Sequence, residues 1–222
     1  MTIRSTEAFK QRAQMALEFS AKQLRHLITQ HPDYFPLYTV KGKWKHDSEA
    51  WTNWCEGFLG GVLWIIYRHT NDAWCQERAE HYSRLIEHRK ADRNVHDLGF
   101  LFLPTWKAWY DLTGDSAKNQ VVIEAGKTLA LRFQPKGRYL RSFVSRDSIF
   151  IDIMMNVGII FYAAEQTKDE ALLRIASEHC LPNVRARFDA DLLRLAVHHF
   201  AQALSKQPFC VALKERIPVT AP

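Results

Sequence analysis

The chain has 222 residues, 47% of them hydrophobic and 12% aromatic. That is enough apolar mass to fill one large core or two small ones, and too much for a disordered chain. A formal charge of +6 suits an acidic partner, yet the basic residues are spread along the chain, and even H-R-K-A-D-R at 88–93 is broken by an acid. Solvated helix faces account for that pattern, and no helix-turn-helix, RNP or zinc-finger signature points to nucleic acid.

The first residues, MTIRSTEAFKQRAQMALEF, contain neither an apolar h-region nor a small-residue cleavage site, so no secretion signal is read there. No apolar run approaches the roughly 18 residues that span a bilayer, and no membrane partner is expected. Cys55, Cys75, Cys180 and Cys210 show no CxxC pairing and no zinc-like spacing. Each lies in an apolar or helical context, so they read as buried free thiols in a cytoplasmic protein with no cofactor.

Apolar residues recur at three- and four-residue spacing over 6–29, 57–68, 73–87, 98–112, 116–133, 152–166 and 169–181, which predicts an all-α chain. Phe35-Pro36, Gln134-Pro135-Lys136-Gly137 and Leu181-Pro182 read as loops between them. Three junctions share a Thr-x-Asp turn: Y-R-H-T-N-D at 67–72, Y-D-L-T-G-D at 110–115 and A-E-Q-T-K-D at 164–169. In each, the Asp can cap the next helix by accepting its backbone N–H groups. Asp72, Asp115 and Asp169 lie 43 and 54 residues apart, a spacing that marks stacked helical hairpins. The first helix of each pair is the more apolar, as in an inner and an outer layer.

Counting back from the turn threonines, Trp54 lies 16 residues before Thr70, Asp97 lies 16 before Thr113 and Asp152 lies 15 before Thr167. Hairpins stacked in register would gather these three side chains at one rim. Asp97 and Asp152 are then either N-caps or functional carboxylates. The apolar runs that follow each would desolvate one of them or force mutual repulsion, dividing a general acid from a general base.

W-C-E-G-F-L-G-G-V-L-W (54–64), H-D-L-G-F (96–100), Y-D-L-T-G-D (110–115), L-R-F (131–133) and I-D-I-M-M-N (151–156) occur in an order that resembles glycoside hydrolase family 88, the unsaturated glucuronyl hydrolases. The resemblance covers roughly residues 5 to 180. It implies an (α/α)6 toroid and a hydrolase acting on lyase-generated oligosaccharides with a 4,5-unsaturated uronic acid at the non-reducing end. The implied chemistry is hydration of a vinyl ether. Asp152 would be the general acid/base and Asp97 its partner. His96 would line the subsite, Trp54 would stack on the sugar, and Phe143 would keep an aromatic face where the family often has tryptophan. For His96 the alternative is a hydrogen-bonded helix-terminal histidine, and for Trp54 a core residue. Asn156, one turn after Asp152, would either orient that carboxylate or serve as a packing polar group.

Past about residue 180 the pattern departs from the family, which divides the chain into a toroid-like part, 1–180, and a divergent helical tail, 181–222. The family's arginine-aspartate-glycine-serine stretch, which would hold the substrate carboxylate, does not follow Ala176-Ser177-Glu178-His179. The tail reads either as the end of a truncated or frame-shifted product or as a shorter relative in which 189–205 caps the open end. About seven or eight helices leave a twelve-helix ring incomplete, with apolar inner surface exposed and self-association through that face expected. A non-catalytic sugar-binding protein and a helical-repeat interaction module are the rival readings. His198-His199 point some 100° apart on a helix and lack a partner at ligand spacing, so no metal is expected.

Overall fold

The computed structural model describes residues 7–44 and 53–187, with side chains through Leu181. Cys210, His198-His199, the segment 189–205 and nearly all of the expected tail domain lie outside the described residues. Helix α1 (Glu7–Gln30) is followed by a short hairpin, β1 (Thr39–Val40) and β2 (Lys43–Trp44). Three helical hairpins then follow in series. The first is α2 (Glu56–Thr70) with α3 (Ala73–Leu85) and a 3-10 turn over Glu87–Ala91. The second pairs a rod made of α4 (Leu98–Phe102), a π turn (Leu103–Lys107) and α5 (Ala108–Thr113) with α6 (Ser116–Ala130). A hairpin, β3 (Phe133–Gln134) and β4 (Tyr139–Leu140), leads to the third, in which α7 (Ile153–Asn156) and α8 (Gly158–Thr167) pair with α9 (Glu170–Arg187).

The Thr-x-Asp turns close all three hairpins in the expected way. Asp72 accepts the Trp74 N–H at 3.0 Å, Asp115 the Ala117 N–H at 2.8 Å, and Asp169 the Ala171 N–H at 2.9 Å. The threonine does the complementary work. Thr70, Thr113 and Thr167 hydroxyls donate to the carbonyls of Ile66, Trp109 and Ala163, four residues back. The residue between them is left-handed in every case: Asn71 at φ 54, Gly114 at φ 68 and Lys168 at φ 56. One helix is therefore ended and the next begun within three residues.

The rods differ from the expected helices at their breaks. The 98–112 helix is interrupted by the π turn, because Pro104 has no N–H to give the Phe100 carbonyl. The expected 73–87 helix tightens after Leu85, and 116–133 ends at Ala130 so that Phe133 can enter the hairpin. Helix α9 continues through Leu181-Pro182 to Arg187, so the boundary expected at 180/181 is not a break in secondary structure. An interior proline removes one helical bond without obliging the chain to turn.

The core lies between the two helix layers. Leu63 and Ile66 of α2, Leu98, Leu101 and Phe102 of α4, and Ile159 and Ile160 of α8 are fully enclosed. Three tryptophans fill the wide end of the first two hairpins, with ring centroids 5.6 Å apart for Trp64–Trp109 and 5.2 Å for Trp106–Trp109. Ser83 accepts both buried indole N–H groups, from Trp64 through its hydroxyl and from Trp106 through its carbonyl. On the opposite face of the inner helices Phe58, Val62, Ile65 and Met155 stand exposed among the described residues.

Candidate active site

Two close helix approaches build the site. A Cβ on Gly57 would lie 2.1 Å from the Phe100 carbonyl oxygen, so only glycine lets α2 press against α4 there. A Cβ on Gly99 would lie 2.6 Å from Asn156 Cα, which fixes the start of α4 against α7. Across this second junction Asn156 Oδ1 accepts the Phe100 N–H at 2.8 Å, and its Nδ2 donates to the Asp152 carbonyl at 3.3 Å. The first turns of α4 and α7 are thus locked side by side, and with them Asp97 and Asp152.

Both aspartates occupy N-cap positions, but neither carboxylate makes a capping bond. In this they differ from Asp72 and Asp115, whose side chains do cap. The capping alternative therefore fails, and both carboxylates are free for other work. Asp97 is 2% exposed, and its Oδ2 is buried with no hydrogen-bond partner. The Asp152 side chain is 39% exposed and opens to solvent.

His96 sits between them. Its Nε2 lies 3.1 Å from Asp152 Oδ2 and 3.4 Å from Asp97 Oδ1, while its Nδ1 accepts the Phe143 N–H at 3.2 Å. A nitrogen that accepts a backbone N–H carries no proton, so Nε2 must carry it and donate toward the carboxylates. Burial also lowers the histidine's pKa, against the pull of the neighbouring Asp152, which keeps the ring neutral. The three residues each present an atom within 4.8 Å of the others, a spacing a metal ion would accept. With Nε2 protonated, His96 offers the carboxylates a proton and not a lone pair.

Burial pushes the Asp97 carboxyl up to about 7, and the nearby Asp152 charge adds to the shift; Arg89 and Arg132 oppose it. Asp97, the buried member, therefore holds its proton to a much higher pH than an ordinary carboxyl. Arg89 is itself committed to Glu56 at 2.8 Å and Asp92 at 3.4 Å.

Aromatic rings frame the opening. Trp54, 42% exposed, packs against Phe58 and Phe100 with ring centroids 5.6 Å away in each case. On the other side Phe143 stacks on His96 at 5.0 Å, and Phe150 meets the same ring edge-on at 5.7 Å. Both belong to the loop 141–150, whose ends are pinned where the Ser142 N–H donates to the Ser148 carbonyl at 2.8 Å.

Of the residues singled out from sequence, Asp97, Asp152 and His96 converge, and Trp54 and Phe143 flank them. His96 is 1% exposed, with its Nε2 turned to the two carboxylates. Asn156 is fully buried with both polar groups used on backbone, so it holds α4 to α7 and does not reach the opening. Phe58, Phe100 and Arg132 lie inside the quoted motifs but were given no role there, and Phe150 was not singled out. Phe58 was within reach of sequence reasoning, four residues after Trp54 on one helical face. Phe150 and Arg132 depend on the path of a loop, which carries no periodicity.

No family model matches the chain. It is 30% identical over 174 residues to the unsaturated chondroitin disaccharide hydrolase of Streptococcus agalactiae, covering 74% of this chain and 43% of that protein. With the unsaturated glucuronyl hydrolase of a Bacillus species it shares 27% identity over 181 residues, covering 77% and 46%. The crystal structure of the Streptococcus agalactiae unsaturated glucuronyl hydrolase superposes with a TM-score of 0.66 at 29% identity, over 75% of this chain and 44% of that one. The chain thus spans less than half the length of the curated relatives it matches, and the matched part carries the helical toroid fold. By sequence and by fold, this chain belongs to the unsaturated glucuronyl hydrolases.

Proposed function

We propose that the chain is a glycoside hydrolase of the unsaturated glucuronyl type. Its substrates are short, lyase-generated oligosaccharides, including glycosaminoglycan disaccharides, with a 4,5-unsaturated uronic acid at the non-reducing end. The observation that carries this reading is the pair Asp97–Asp152: two carboxylates at adjacent helix starts, neither used as a cap, one buried and one open, joined through His96. Support for the substrate class comes from a relative named for such disaccharides and from a mutant of the Streptococcus agalactiae unsaturated glucuronyl hydrolase crystallised with dGlcA-GalNAc6S.

In this reading Asp152, the exposed member, meets the sugar, while Asp97, the buried member, is the proton reservoir. His96 Nε2–H, 3.1 Å from Asp152 and 3.4 Å from Asp97, is the path between the two carboxyls. Asp152 then protonates C4 of the enol ether as water adds its oxygen to C5, and the water's proton returns to the carboxylate. The net change is one added water. The C5 hemiketal opens to a ketone, and the hemiacetal left at C1 expels the next sugar. Trp54 and Phe143 offer ring faces to the apolar C–H surfaces of the sugar.

The test is loss of the double bond's ultraviolet absorbance when purified chain meets a lyase-generated unsaturated disaccharide, with Asp152→Asn as control. Loss that disappears in the variant supports the reading. A folded chain that binds the disaccharide by calorimetry without consuming it favours the sugar-binding alternative.

A further inference from the structure

Arg132 is 4% exposed and lies behind the site, at the start of the hairpin that leads into loop 141–150. Its guanidinium donates to three backbone carbonyls: from Nε to Arg141 at 2.9 Å, from Nη1 to Arg93 and from Nη2 to Ser142. These carbonyls belong to two segments far apart in sequence. One is the irregular approach to His96-Asp97, and the other opens the loop that carries Phe143. A planar fork with donors on several sides can hold such segments at once, which a lysine ammonium does less well.

The place where the two segments meet has a chemical consequence. Ser142, held by Arg132 through its carbonyl, precedes Phe143, whose N–H donates to His96 Nδ1. Arg93, held through its carbonyl, stands three residues before His96. The bond that selects the histidine's tautomer is therefore made across a junction that Arg132 bridges. Ser148 reinforces the same loop from its outer end, where its hydroxyl accepts the Ser145 N–H at 3.0 Å.

We propose that Arg132 is a positioning residue for the carboxylate pair: by tying the Arg93 carbonyl to those of Arg141 and Ser142, it brings the Phe143 N–H onto His96 Nδ1 and so keeps the His96 Nε2 proton aimed at Asp152 and Asp97. It touches no reacting atom. Its charge also lies close enough to oppose the upward shift of Asp97, consistent with a buried cation facing a buried anionic pair. The structural part of the inference stands on geometry alone; only its effect on turnover rests on the hydrolase reading.

The experiment uses nitrogen-15-labelled full chain at pH 7.5 and reads the side-chain nitrogens of the 10 histidines, with His96→Gln identifying the His96 signals. In the unaltered chain His96 shows a protonated Nε2 and an unprotonated Nδ1. Arg132→Lys and Arg132→Gln are each expected to bring in the opposite tautomer and exchange broadening at His96. With the unsaturated disaccharide, kcat falls roughly 10- to 100-fold and KM changes little, the size of effect expected of a group acting through its neighbours.

Folded Arg132 variants that keep the single Nε2-protonated form overturn the inference, whatever their turnover. Should both variants fail to fold, the unaltered chain decides, and a protonated Nδ1 at its His96 overturns the inference. An unaltered chain with no turnover defeats the hydrolase reading alone, since the tautomer still reports on Arg132. Turnover in the unaltered chain, with tautomer and kcat both retained in the variants, defeats the inference alone.

Discussion

Asn156 Oδ1 accepts the Phe100 N–H at 2.8 Å, joining the first turn of α7 to the first turn of α4. The bond fixes the distance between helix starts that each carry an aspartate. Asn156→Ala leaves the Phe100 N–H without its acceptor, while the Asp152 carbonyl keeps the Met155 N–H, and is expected to destabilise the fold by about 2 kcal/mol. Gly99→Ala attacks the same contact from the other side, because its new Cβ meets Asn156 backbone that cannot swing away. Chemical denaturation measures both, and each should also lower turnover with the carboxylates still present.

Asp152→Asn should remove turnover and leave the fold almost unchanged. The side chain is partly exposed, makes no cap and bonds only to His96 among the hydrogen bonds described. Loss of a general acid/base lowers kcat by roughly 10²- to 10⁴-fold. The absorbance assay reads the first effect and thermal melting the second.

Asp97→Asn separates stability from activity. In the unfolded chain this carboxyl titrates near 3.8, and in the fold near 7. The folded form therefore holds its proton longer, so stability is fully present below pH 3.8 and is lost as pH rises toward 7. An amide cannot ionise. The variant is expected to gain roughly 1–3 kcal/mol over the parent above pH 7, with no gain at pH 4, while turnover is lost. Melting curves across pH 4 to 8 decide it; a variant less stable than its parent at pH 8 contradicts the buried-carboxyl account.

His179 acts with the opposite sign. It is fully buried, its Nδ1 accepts the Leu140 N–H at 3.0 Å, and burial lowers its pKa from 6.5 to about 4. The unfolded chain takes up this proton first, so stability falls as pH drops from 6.5 toward 4, and His96 adds to the same trend. His179→Gln should cost stability at pH 7 through poorer packing, yet show a flatter decline on the acid side. Denaturant midpoints at pH 7 and pH 4.5 give the comparison.

Lys168 holds a left-handed conformation, φ 56, at the turn where Gly114 and Asn71 stand in the other two hairpins. A lysine there bears a Cβ strain that glycine lacks. Lys168→Gly is expected to stabilise the chain by about 0.5–1 kcal/mol, less the entropy glycine restores to the unfolded state. The melting temperature should rise by a few degrees, with turnover unaffected.

The helices, their pairing and their three turns were legible from residues alone, because each depends on neighbours within one or two turns of chain. Thr70-Asn71-Asp72 ends one helix and starts another whatever lies around it. The register of Trp54, Asp97 and Asp152 was legible for the same reason, since counts of 16, 16 and 15 residues back from like turns reach like heights on stacked hairpins.

The division of labour at the site was not. Asp97 and Asp152 both precede apolar helices and look alike in sequence. One is sealed and the other open because Gly57 and Gly99 admit close approaches from α2 and α7, and loop 141–150 closes over His96. The tautomer of His96 rests on one amide, that of Phe143, 47 residues away, and the amide's place is held in turn by Arg132. Local spacing sets helices through short-range hydrogen bonds. Burial, the hold on a carboxyl proton and the direction of a histidine proton arise from contacts between segments distant in the chain, so they are settled only when those segments pack.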